Sequence, residues 1–227
     1  MMNKIVFKEL EELEYGRREA MNSLRTNLQF CGADIKVILF TSCGPNEGKS
    51  TTSFDLARSM AESGKNVILI DADLRKSVMI SRYKVQRSGT PIGGLSHYLS
   101  KQAQLNDIIC ATNIPGMHII MTGPLSPNPT ELLNGVLFED LLNVLRANYD
   151  AVIIDAPPLG SVIDAAVIAP KADGVVLVVE ANATSSRIAA DVKKQLEMAD
   201  CKLLGVVLNK VKIDRSKYYY RYYGEYK

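Results

Sequence analysis

The chain has 227 residues, 47% of them apolar, with 27 Lys and Arg against 25 Asp and Glu, a net charge of +2. That is enough apolar material for one domain with a sizeable core, and too little charge for bulk electrostatics to call for nucleic acid. The four cysteines, Cys31, Cys43, Cys110 and Cys201, form no C-x-x-C, and the two histidines, His97 and His118, sit in no motif, so thiols of a reducing compartment are expected rather than disulfides or a zinc site.

Taken in chain order, residues 8–30 read as a helix, with Leu10, Leu13, Leu24 and Leu28 at helical spacing among Glu and Arg. It precedes the first strand in the pattern, so it is expected outside the sheet core, as a contact element or packed on its own sheet. Residues 1–21 are charged and lack the apolar stretch of a signal peptide. The longest apolar runs, at 174–179 and 203–208, are far too short to span a bilayer. A soluble chain with no direct membrane insertion is expected.

The run Val37-Ile38-Leu39-Phe40 leads into Thr41-Ser42-Cys43-Gly44-Pro45-Asn46-Glu47-Gly48-Lys49-Ser50-Thr51, and a helical pattern follows over 52–63. Strand, glycine-bearing loop, Gly-Lys-Ser and helix make a phosphate cradle. Successive backbone N–H groups along Gly44–Thr51, where only Pro45 has none, converge on the phosphates, and the helix start adds the positive end of its dipole. Lys49 is placed to reach the β- and γ-phosphates and the Ser50 hydroxyl to ligate Mg²⁺. Cys43 stands where a small residue is usual, and Asn46 tolerates left-handed backbone nearly as glycine does.

A second apolar run, 66–70, ends in Asp71-Ala72-Asp73-Leu74-Arg75. Residues 76–116 lack strong periodicity; Pro91-Ile92-Gly93-Gly94 punctuates them, and short helices are expected at 95–100 and 105–110. A short strand at 118–121 is followed by Asn128, Pro129 and Glu131, a helix start. Further strands are expected at 151–155, 174–180 and 203–209, with helices at 162–169 and 185–199. Continuous apolar strands alternating with helices predict an α/β fold of the P-loop NTPase-like kind, a mostly parallel β-sheet with helices on both faces.

Ligands of such sheets bind at the carboxyl ends of the strands. Asp155 there fits the metal-side aspartate of a P-loop enzyme, and Asp71 and Asp73 follow the run Ile68-Leu69-Ile70. Asn209 ends the last strand, where its amide can bond an adenine ring or cap a loop. From Ser216 to Lys227 the composition changes abruptly. Tyr218, Tyr219, Tyr220, Tyr222, Tyr223 and Tyr226 stand among Lys217, Arg221 and Lys227, six of the ten tyrosines. With little to pack, residues 212–227 are expected to form a flexible tail after a domain at 1–211.

Three segments carry a family resemblance: Gly48-Lys49-Ser50-Thr51, Asp71-Ala72-Asp73-Leu74-Arg75, and Asp155 with its apolar lead-in. They resemble the Walker A, A′ and B motifs of bacterial protein-tyrosine (BY) kinases, most closely the cytoplasmic CpsD/CapB type of capsular and exopolysaccharide clusters. The resemblance implies a Mg²⁺-ATP-dependent autokinase. Lys49 would steady the transferred phosphoryl group, Ser50, Asp73 and Asp155 would attend Mg²⁺, and Asp71 would act as general base; Arg75 counters phosphate charge or pairs with an aspartate. The tail tyrosines would be the substrates, reached between subunits. It also implies a transmembrane activator or polysaccharide co-polymerase that recruits the chain to the inner face of the membrane, a cognate tyrosine phosphatase, and ring-like homo-oligomers. Their contact motif, E-x-x-R-x-x-R, is matched here by Glu19, Asn22 and Arg25, without its middle arginine. Two other readings stand beside this one: a ParA/MinD-like ATPase switch without a protein substrate, and a single-stranded nucleic-acid binder using the aromatic-basic tail.

Overall fold

The structure, a computed structural model, describes residues 3–88 and 93–212; the punctuation at Pro91-Ile92 and the tail tyrosines lie outside the described residues. Four apolar strands form the middle of one sheet: β2 (Val37–Ser42), β3 (Val67–Asp71), β7 (Ala151–Asp155) and β8 (Gly174–Glu180). They lie side by side in the order β3-β7-β2-β8, all parallel. Their side chains alternate between two cores. Val37, Leu39, Ile68, Ile70, Val152 and Ile154 enter one, while Ile38, Phe40, Val67, Leu69, Ala151 and Ile153 enter the other. A strand buried on both faces has no polar alternation to show, which is why these four are continuous apolar runs.

One core is closed by α7 (Val136–Asn148) through Phe138, Leu141, Leu142 and Leu145, by α9 (Ser186–Met198) through Val192 and Leu196, and by α8 (Asp164–Ile168). The other is closed by α2 (Lys49–Glu62) through Phe54, Leu56, Ala57 and Met60, with α1 (Tyr15–Phe30) laid outside α2. The expected fold class therefore holds: helices cover both faces of a mostly parallel sheet.

Two sequence expectations change at the N-terminus. The helix begins at Tyr15, not at residue 8, and a strand, β1 (Asn3–Phe7), precedes it. The segment therefore does not stand wholly outside the sheet. The amides of Lys8 and Glu9 donate to the Tyr83 carbonyl, which keeps the chain extended past β1. Four glutamates within residues 9–14 also repel one another and disfavour a helix there. Ile5 and Phe7 are buried while Lys4 and Val6 are exposed, the alternation of a half-buried strand.

The other strands missing from the sequence reading are β4 (Val85–Ser88) and β5 (Ile109–Ala111), which join β6 (Met117–Ile120) and β1 at one end of the sheet. Its two antiparallel pairs, β1 with β4 and β5 with β6, lie in this part. The short helices α3 (Met79–Arg82), α4 (Leu95–Leu99) and α5 (Leu105–Ile108) connect it, and α6 (Pro129–Asn134) starts at the expected Asn128. The opposite edge is β9 (Leu203–Asn209), parallel to β8. No helix among the described residues is long and apolar enough to cross a membrane.

Candidate nucleotide and phosphoryl-transfer site

Register places the chemistry. Asp71 stands opposite Asp155 across β3 and β7, and Asp155 is paired with Phe40 of β2, two residues before the phosphate loop begins to turn. The loop leaves β2 at Ser42, whose hydroxyl donates to the Gly44 carbonyl at 2.8 Å. Asn46 (φ 65°) and Gly48 (φ 94°) adopt left-handed backbone, and Gly48 caps α2. A Cβ on Gly48 would fall 2.0 Å from the Asn209 amide nitrogen, so glycine is required there by conformation and by space. Lys49 and Ser50 fall in the first turn of α2, which therefore starts three residues before the predicted helix.

Lys49 is buried and held by carboxylates. Its ammonium lies 3.1 Å from Asp155 Oδ1 and 3.7 Å from Asp73 Oδ2, and it donates to Ser50 Oγ at 3.1 Å. Burial raises the pKa of the Asp155 carboxyl, with Lys49 and Ser50 pulling against that. Asp73 is fixed by its own turn: its Oδ1 accepts the amides of Arg75 (3.3 Å) and Lys76 (2.9 Å).

Asp71 is fully buried. One oxygen accepts the Ser77 hydroxyl; the other has no partner. Burial first and the neighbouring Asp155 charge second push its pKa up to about 7, against the pull of Ser77 and Lys49. A carboxyl poised at that value with a free oxygen is suited to take a proton near neutral pH.

A cavity of about 260 Å³ opens over these groups, lined among others by Lys49, Ser50, Thr51, Asp73, Arg75 and Arg82. Asp71 and Asp155 lie beneath rather than on its wall. Among the described residues no group of three His, Cys, Asp or Glu is placed to hold an ion by itself. The donor set nevertheless fits Mg²⁺: Ser50, Asp155 and Asp73 all meet at Lys49, and Mg²⁺ ordinarily takes one or two protein oxygens and fills the rest with phosphate and water.

Several side chains took positions that the sequence left open. Arg75 does not stand free over the cavity. It grips the fully buried Asp164 with two bonds, 2.7 and 3.0 Å, and reaches Thr130 at 2.9 Å. Asn209 donates to the Glu47 carbonyl at 2.9 Å, at the edge of the phosphate loop. Glu19 is exposed and accepts from Asn22 at 3.0 Å, while Arg25 donates to the Ser59 carbonyl of α2 at 2.9 Å. Arg25 is thus not part of a merely solvated face: it joins α1 to α2. Sequence reasoning missed Ser77, Asp164, Thr130 and Thr184, and no local pattern marks them.

A family model described as an AAA domain matches residues 35–203. The chain is 44% identical over 208 residues to the tyrosine-protein kinase CpsD of Streptococcus agalactiae, covering 92% of this chain and 89% of that one. The chain belongs to the bacterial tyrosine-protein kinases of the CpsD type. Among solved structures the chimerical protein CapA2B2 superposes with a TM-score of 0.82 at 30% identity, covering 92% of this kinase and 93% of that chain. MinD of Pyrococcus horikoshii, complexed with Mg-ADP, superposes with a TM-score of 0.65 at 21% identity over 80% of this chain and 73% of its own, a likeness of fold alone. The kinase therefore has the P-loop NTPase-like α/β fold, binds nucleotide, and phosphorylates protein tyrosine. The relatives also separate it from ATPase switches that lack a protein substrate.

Proposed function

We propose that this kinase transfers the γ-phosphoryl group of Mg²⁺-ATP to tyrosines of its own C-terminal segment, with residues 1–211 as the catalytic domain and 212–227 as the substrate tail. The observation that carries the reading is the buried Asp71, which stands opposite Asp155 at the reactive edge of the sheet with one carboxylate oxygen unpartnered. A hydroxyl that attacks phosphorus must lose its proton, and a carboxylate with a free oxygen can accept it. A tyrosine hydroxyl, with its ordinary pKa of about 10, needs a base to become a nucleophile.

The division of labour follows from the geometry. The amides of Asn46 to Thr51 hold the phosphates, with Gly44 and Pro45 shaping the start of the loop. Lys49 leaves its two carboxylates for the transferring group and offsets the charge spread over its oxygens. Ser50 and Asp155 would hold Mg²⁺, with Asp73 alongside, and the bound ion would supply positive charge to offset that of the phosphates. Asp71 accepts the phenolic proton as the phosphorus–oxygen bond forms and the ADP oxygen departs. Asn209 borders the side where an adenine ring would lie.

Residues Tyr218, Tyr219, Tyr220, Tyr222, Tyr223 and Tyr226 are the proposed acceptors, delivered from a second copy. A tail beginning near Lys212 reaches at most roughly 50 Å when extended. Glu19 is available on the outer face of α1 for a contact between copies, whereas Arg25 is engaged with α2 and Asn22 replaces the middle arginine, so a weaker ring is proposed. A cytoplasmic location, recruitment by a transmembrane co-polymerase, dephosphorylation by a tyrosine phosphatase and a role in capsule or exopolysaccharide assembly rest on the CpsD-type membership.

Transfer between copies has a direct test. A full-length Lys49→Met chain is mixed with an otherwise intact chain ending at Val211, in Mg²⁺-ATP. The full-length chain supplies only the tail, the shortened one only the activity. Phosphotyrosine on the full-length chain is expected; its absence, with the shortened chain still turning over ATP, would remove transfer between copies.

A further inference from the structure

Glu47 is a buried carboxylate with no cation within ion-pair distance among the described residues, which is costly unless its oxygens are otherwise satisfied. They are. Oε2 accepts the backbone amides of Cys43 (2.7 Å) and Gly44 (2.9 Å), and Oε1 accepts the Thr184 hydroxyl. The Glu47 carbonyl accepts the Asn209 amide at 2.9 Å. Cys43 follows β2, Thr184 follows β8 and Asn209 ends β9, three strands adjacent in the sheet. One residue therefore fastens three strand ends together. Thr184 and Asn209 are 137 and 162 residues away in sequence.

The same contacts explain two features that the motif alone leaves unexplained. The amides of Cys43 and Gly44 are already satisfied by the Glu47 side chain, so the first half of the loop holds its shape through its own residue. Gly48 holds a left-handed backbone with the Asn209 amide over it, and a Cβ there would displace that amide from its bond to the Glu47 carbonyl.

We propose that Glu47 is a positioning residue for the nucleotide. Its side chain closes the phosphate loop on itself and ties it to the β8–α9 connection and the end of β9, which fixes the phosphate cradle relative to the rim that carries Asn209. The inference rests on the nucleotide-site reading above. It assigns Glu47 no contact with the reacting atoms, and predicts that its loss is felt in nucleotide affinity before turnover.

The test compares Glu47→Ala, Glu47→Gln and Thr184→Val in the full-length chain, measuring KM for ATP and kcat for phosphotyrosine formation. Glu47→Ala is expected to raise the ATP KM about tenfold or more, equivalent to about 1.4 kcal/mol, with kcat falling far less. Glu47→Gln should return KM to within about threefold of the parent, because an amide oxygen accepts from both backbone N–H groups. Thr184→Val, which removes one hydroxyl, should raise KM about threefold. If Glu47→Ala does not fold, Thr184→Val decides: an unchanged KM overturns the proposal. So does a Glu47→Gln chain as impaired as Glu47→Ala, or a loss confined to kcat. An unchanged KM in these variants alongside an inactive Lys49→Met chain defeats this inference alone; activity in Lys49→Met would defeat the site reading instead.

Discussion

Replacing Lys49 by methionine is expected to lower phosphotyrosine formation by a factor of about 10² to 10³ or more, the usual loss when one fixed donor to the developing charge is removed. The Lys49 ammonium lies between Asp155 and Asp73 and beside Ser50. Methionine keeps the length and the apolar stem but no charge. The substitution also leaves Asp155 and Asp73 buried without their cation, and breaking one side of a buried pair costs up to about 3–5 kcal/mol. Protonation of one carboxylate relieves part of that cost. Thermal melting should therefore fall with activity, and the two are separated by measuring both at a temperature where the variant is still folded. A folded Lys49→Met chain with parental labelling would place the phosphoryl transfer elsewhere.

Asp71→Asn makes a different prediction. Asparagine matches the shape of the aspartate and can keep the Ser77 hydroxyl bond through its oxygen, but it accepts no proton from a phenol. A lost general base is expected to cost about 10² to 10⁴ in kcat, with a far smaller change in ATP affinity. The parent should also respond to pH. Asp71 sits near 7, so the fraction able to act as base grows as pH rises through that value, and kcat should climb with it. The variant should show no such limb. A pure loss of ATP affinity in Asp71→Asn, with kcat intact, would contradict the assignment.

The parts legible in the sequence were those whose signal is local. The runs ending at Phe40, Ile70, Ile154 and Val179 are apolar on both faces because both faces are covered, and the aspartates that follow two of them, Asp71 and Asp155, mark the reactive edge of the sheet. The phosphate loop is contiguous, so its spacing survives as a pattern. β1, β4 and β5 are three to five residues long and lie in the part of the sheet that contains the antiparallel pairs; β1 and β5 are also only partly covered, so their alternation is brief. The leucines at residues 10 and 13 imitated helix spacing in a stretch that the Tyr83 carbonyl holds extended.

The support around the site was not legible for a different reason. Arg75 meets Asp164 across 89 residues, Glu47 meets Thr184 across 137, and Thr130 meets Asp164 across 34. Such pairs have no shared periodicity and become visible only once the strands are ordered. Ser77 is close to Asp71 in sequence, but a serine six residues past a strand end looks like any loop residue.

The central claim is that the proton accepted at Asp71 comes from a tyrosine in the C-terminal segment. The most direct measurement is a phosphosite map by mass spectrometry of the full-length chain incubated with Mg²⁺-ATP, with and without the cytosolic tail of an activator. Phosphotyrosine among residues 218–226 is the expected result; turnover of ATP with no phosphotyrosine in that segment under either condition would contradict it.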